Sequence, residues 1–128
     1  MNSRIIRALI IGSALLAACA NNISAAEAPK EDKAIFDKLI TAIVQNDYDS
    51  FVADGVGAFK QMTPDQFNAA VGQLSPRLNA GYEVTYLGAI KKSGGHVTLW
   101  RLTFKGVDDE SLATLSVKDG KISGFTIR

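Results

Sequence analysis

Residues 82–128 read YEVTYLGAIKKSGGHVTLWRLTFKGVDDESLATLSVKDGKISGFTIR, and this half of the chain decides the fold. Its apolar residues recur at every second position, the period of a strand with one buried face. Tyr82, Val84, Tyr86 and Ile90 mark a first strand, and His96 to Lys105 (HVTLWRLTFK) a second. Ser111 to Lys118 (SLATLSVK) and Ile122 to Arg128 (ISGFTIR) give two more. Ser93-Gly94-Gly95, Gly106 to Asp109 and Asp119-Gly120 supply the turns, the last a strong hairpin signal. Parallel neighbours need long crossovers, so short loops predict an antiparallel meander.

Upstream the period lengthens to that of a helix. Ile35, Phe36, Leu39, Ile40, Ile43 and Val44 form one apolar stripe over residues 33–46. Asn46-Asp47 interrupts it, and Asp47 is placed to cap a short helix carrying Tyr48, Phe51 and Val52. Gly55-Val56-Gly57 loosens the chain. Thr63-Pro64-Asp65-Gln66 then has the form of a capping box with proline in the first turn, followed by Phe67, Ala70, Val71 and Leu74. Ser75-Pro76 should end or bend this helix, because the residue before proline resists the helical conformation.

Two to three N-terminal helices followed by four strands make an α+β domain, with the helices packed on one face of the sheet. In the second strand Trp100, Leu102 and Phe104 point to one face, Val97 and Leu99 to the other. The second face is therefore wetted or meets another subunit.

Before residue 33 the composition changes. Arg4 and Arg7 precede the apolar run Ala8 to Leu16 and the small residues that follow, the layout of an export signal, too short for a stable span. Two processing sites compete. Leu16-Ala17-Ala18-Cys19 resembles the lipobox of bacterial lipoproteins, which implies acylation of Cys19 and a membrane anchor. Cleavage after Ser24-Ala25-Ala26 is the alternative. Residues 27–32 complete a small, polar tether, which leaves 33–128 as one domain. Cys19 is the only cysteine, so an intrachain disulfide is impossible. The chain has 14 basic and 13 acidic residues; without Arg4 and Arg7, 12 face 13. No basic face is visible, so a nucleic-acid partner is set aside.

The layout as a whole resembles the nuclear transport factor two-like (cystatin-like) superfamily, and within it small exported bacterial domains of unknown function. The residues that carry the resemblance are Asn46 to Phe51 (NDYDSF), Thr63 to Phe67 (TPDQF) and Val117 to Phe125 (VKDGKISGF). It implies a cone-like sheet around a pocket, which some members use for isomerase or dehydratase chemistry and many for binding alone.

Four residues are candidates for such a pocket. Tyr82, Tyr86 and Trp100 could line it and suit an apolar ligand with a polar handle, or they could simply be core. His96, the only histidine, would need a carboxylate or polar substrate group to act as a general base; otherwise it is an ordinary solvated residue near the rim. No second His or Cys joins it, so no metal is expected, nor any cofactor. Asp108-Asp109-Glu110 reads as a solvated turn. The chain thus reads as an exported periplasmic or outer-membrane-anchored binding domain without catalysis. Its partner is a small apolar ligand or an envelope protein. The alternatives are an isomerase- or dehydratase-like enzyme using His96 and a tyrosine, and a homodimeric module.

Overall fold

The computed structural model describes residues 27–128, and the expected export signal with Cys19 lies outside the described residues. Helix α1 spans Lys30–Val44, α2 Tyr48–Val52, α3 Gly57–Lys60 and α4 Pro64–Ala80. Strands β1 (Tyr82–Lys92), β2 (Gly95–Phe104), β3 (Ser111–Lys118) and β4 (Lys121–Ile127) follow. They form one antiparallel sheet in the order β1-β2-β3-β4. The α+β meander read from the sequence is the observed architecture.

Helix α1 begins inside the stretch read as tether. Pro29 takes the N-cap position, and Glu31 and Asp32 sit in the first turn, where the helix dipole favours acidic side chains. Asp32 is buried, so residues 30–32 belong to the domain. At the far end Asn46 adopts a left-handed φ of 54°. Asp47 then caps α2 by accepting the Ser50 N–H at 3.1 Å. The Thr63–Gln66 capping box is present in full at the start of α4.

Two local expectations are corrected. Helix α4 continues past Pro76 to Ala80, so of the two outcomes expected at Ser75-Pro76 the helix end does not occur. Proline removes the N–H that would bond the Gly72 carbonyl, but both residues are exposed, so water can serve that oxygen. Leu78, only 3% exposed, anchors the last turn to the core. The glycine-rich stretch at 55–57 is also more ordered than a loosened loop. Val56 donates to the Ile122 carbonyl at 2.8 Å and Ile122 donates to Asp54 at 2.9 Å, a short parallel pairing beside β4. Helix α3 then places Phe59 in the core.

The helices cover the face of the sheet that carries Trp100, Leu102, Phe104, Ala113, Leu115, Val117 and Ile122, all buried. Phe36 of α1 stacks on Trp100 with ring centroids 4.4 Å apart. Phe125 meets Phe36 edge-on at 5.7 Å, and Phe51 in turn packs on Phe67 at 4.9 Å. This aromatic seam fills the space between helices and sheet. Burial of each such ring removes it from water at a gain of roughly 1.5–3 kcal/mol.

Candidate functional site

The sheet distributes the four sequence-predicted pocket residues rather than gathering them. Tyr86 pairs with Trp100 across β1 and β2, and their rings meet edge to face at 5.1 Å. Trp100 is 1% exposed, and its Nε1–H donates to Thr98 Oγ1 at 2.9 Å, so its polar atom is already committed. Tyr82 lies at the opposite end of β1 from the hairpin, paired with Phe104 and largely exposed. Trp100 is thus packed, with Tyr86 half-buried against it beside an open groove of about 370 Å³ that both line, and Tyr82 does not share that groove with them.

His96 stands apart from all three. It is the second residue of β2 and faces the first turn of α1 across 64 positions of sequence. Its Nε2 lies 2.8 Å from Asp32 Oδ1 and 3.0 Å from Oδ2. The Asp32 side chain is 7% exposed and that of His96 36%. An ionised carboxylate only accepts, so Nε2 carries the donated proton and Nδ1 is the ring's second site. His96 is thus not an ordinary solvated histidine: it has the carboxylate partner that the sequence reading required of a general base. Asp32 escaped that reading because it fell within the presumed tether. The available signal was Pro29 followed by two acids, a helix start displaced three residues upstream.

Local backbone holds this pair in place. Lys92 and Gly95 close the β1–β2 hairpin around Ser93-Gly94, with Gly94 at φ +78°. A Cβ on Gly95 would lie 2.0 Å from the Val117 carbonyl oxygen, so β2 approaches β3 as closely as backbone allows. Around the pair an open groove of about 780 Å³ is bordered by Lys30, Glu31, Ala89, Lys91 and Lys92.

Two further surfaces bear on function. An apolar cleft of about 180 Å³ lies between α4 and β4, lined by Phe67, Ala70, Leu74, Phe125 and Ile127 with Gln73 as a polar handle. On the outer face of the sheet Val97 pairs with Ile90, with Leu99 beside them and Leu112 further along β3. Ile90 is 50% and Leu112 43% exposed. Thr114 and Thr126 link their hydroxyls on the same face.

Charge elsewhere is mostly solvated. Hydrogen bonds from the Ser50 hydroxyl and then its N–H hold the Asp47 carboxyl below the ordinary carboxylate range. The Lys38 ammonium, bonded at 2.7 Å, does the same for Asp54, with Lys121 and Lys60 adding smaller attractions. Glu110 of the acidic turn pairs with Arg101 at 3.3 Å. Among the described residues no helix is long and apolar enough to cross a membrane. No group of three or more His, Cys, Asp or Glu among them could hold a metal ion. Compared with known proteins, the chain matches no family model and no curated protein at a significant level.

Proposed function

We propose that this is an exported, non-catalytic interaction domain of the cell envelope, built on the nuclear transport factor two-like plan and using the outer face of its sheet to bind a second copy of itself. The observation that carries the reading is the packed centre of the interior: Phe36 stacks on Trp100 at 4.4 Å, both are buried, and a cleft of only about 180 Å³ remains between α4 and β4. Grip is left to the outside, where Ile90, Val97, Leu99 and Leu112 form an aliphatic patch on one side of the sheet. Lys92 and Lys118 flank Gly95 at the hairpin end of that patch; near the other end Glu83 lies opposite Thr103, and Arg101 beside them is paired with Glu110. A twofold axis across the strands would set the acidic end of one copy on the basic end of the next, a self-complementary arrangement.

Sedimentation of the purified protein should then report twice the monomer mass. Glu83→Lys should weaken association, and the pair Glu83→Lys with Lys92→Glu should restore it. A monomer at every concentration would overturn the dimer. Anchoring is read from the Leu16–Cys19 lipobox. Mass spectrometry on cells making the native precursor should find acylated Cys19 at the N-terminus, and a mature chain starting at Glu27 without lipid would remove the anchor.

The α4–β4 cleft favours a second reading, capture of a small apolar group. At about 180 Å³ it is smaller than the roughly 300 Å³ at which ligand sites begin, and suits a side chain or short alkyl group. Ala70→Phe should fill it and abolish uptake of a fluorescent apolar probe. An enzymatic reading is weaker, because the tyrosines that would accompany His96 lie elsewhere. Tyr86 pairs with Trp100, whereas His96 pairs with Lys91 at the hairpin end.

A further inference from the structure

Asp32 is the only buried charged residue among those described, and a buried carboxylate is costly unless paired. Its partner, His96, stands on a hairpin whose glycines admit no ordinary side chain: Gly94 is left-handed and Gly95 abuts the Val117 carbonyl. Fold and sequence therefore cooperate to hold one imidazole at the edge of the groove with Nε2 occupied by the carboxylate. Across that groove Lys30, Lys91 and Lys92 form no ion pair with any carboxylate among the described residues. Three free ammonium groups around an oriented imidazole are notable in a mature chain with a slight acidic excess.

We propose that this groove binds a phosphate-bearing anion. Lys30, Lys91 and Lys92 supply the attraction. His96, positioned by Asp32, supplies a donor at Nδ1 that exists only when the ring is protonated. In the neutral ring Nδ1 presents a lone pair, which repels a phosphate oxygen; in the cation it presents an N–H. The charged groups that border His96 are Lys30, Glu31 and Asp32 of α1 and Lys91 and Lys92 of β1. Of these only Glu31 and Asp32 oppose an anion, and Asp32 is already bonded to His96. The site shares only Lys92 with the outer face and does not depend on self-association.

Its phosphate could belong to a lipid head group or to a soluble molecule, and the test distinguishes the two. Because His96 is the only histidine, its ring gives a unique NMR signal. The processed protein is titrated with dimethyl phosphate, which carries one negative charge. Saturable shifts of the His96 ring are expected. Lys30→Gln with Lys91→Gln, both exposed at the groove, should lower affinity about tenfold. His96→Gln keeps an N–H for Asp32 but lacks the second ring donor; followed through the backbone amides of the hairpin, it should lower affinity about tenfold. Co-sedimentation with phosphatidylglycerol but not phosphatidylcholine vesicles, lost in the double lysine variant, assigns the lipid source; dimethyl phosphate binding without vesicle association assigns a soluble one. The proposal is overturned if neither probe binds, or if the lysine variant or His96→Gln binds as well as the native protein.

Discussion

On the helix side of the sheet Trp100, Leu102, Ala113 and Leu115 are no more than 1% exposed, whereas on the outer side Ile90 and Leu112 keep 50% and 43% of their surface in water. Both sets arise from one alternation along β1, β2 and β3, so composition alone does not separate them. Coverage does. Where α1 and α2 deliver Phe36 and Phe51, the apolar residues become structure and lose their capacity to bind. Where no helix lies, the same kind of residue stays available to a partner. If the proposed dimer holds, stability and recognition fall on opposite faces of one sheet, and mutations should be able to pull them apart.

The largest effect is expected at the sealed face. Trp100→Ala should cost about 3–5 kcal/mol in urea unfolding, since it removes both ring volume and the stack with Phe36. Trp100→Phe sharpens the point. It keeps a ring against Phe36 but deprives the buried Thr98 hydroxyl of its donor, a loss of about 1–3 kcal/mol. A cost near zero for Trp100→Ala would mean that the interior is not sealed by this seam, and the contrast between the faces would fail.

Next in size is Gly95→Ala, at the hairpin end where the two faces meet. The added Cβ would meet backbone, at 2.0 Å from the Val117 oxygen, so β2 and β3 must part. Overpacking of this kind costs about 1–3 kcal/mol or more. Hydrogen exchange should show faster loss of the amides that join Gly95 and Lys118 than of those between Trp100 and Ala113.

How much of this was legible follows from what each signal encodes. The Thr63–Gln66 box, the Asp47 cap and the Asp119-Gly120 turn are local chemistry, and each appears as read, the last with φ values of 50° and 75°. Period two along β2 identified Trp100, Leu102 and Phe104 as one buried set. The failures are nonlocal. Pro76 is tolerated because Leu78 finds the core and Gly72 finds water, neither of which is written in the dipeptide Ser75-Pro76. The Asp32–His96 pair joins residues 64 apart, and only the docking of α1 against the hairpin creates it. The bulge between Tyr86 and Gly88 likewise shifts the alternation, so that Tyr86 and Ala89 share the helix-facing side. Sequence period therefore located the core and missed the groove.

A smaller effect probes the rim of the sealed side through pH. Lys38 on α1 and Asp54 ahead of α3 are linked at 2.7 Å, and this contact holds the Asp54 carboxyl below its usual range. A carboxyl depressed in the folded state stabilises above its unfolded value, and that contribution vanishes as pH falls through the folded one. Unfolding followed from neutral pH down through the carboxylate range should thus lose some stability. Asp54→Asn should flatten that loss by well under about 1 kcal/mol, because both side chains are nearly half exposed. A slope unchanged in Asp54→Asn would assign the acid sensitivity to other carboxyls, Asp47 first among them.

The smallest change in stability, and the sharpest test of the division, belongs to Ile90→Thr. Half of Ile90 is already in water, and threonine keeps the β-branched shape that suits β1. What folding loses is part of the cross-strand contact with Val97, worth roughly 0.2–1 kcal/mol. Association should suffer more, because the substitution places a hydroxyl in the middle of the aliphatic patch, where a partner would have to desolvate it at about 1–3 kcal/mol. Urea midpoints and sedimentation on the same sample would report the two quantities side by side. If Ile90→Thr instead unfolds the protein as readily as Trp100→Phe, the outer residues carry the fold as much as the inner ones do. Their exposure would then signify a thin core and not a surface kept open for a partner.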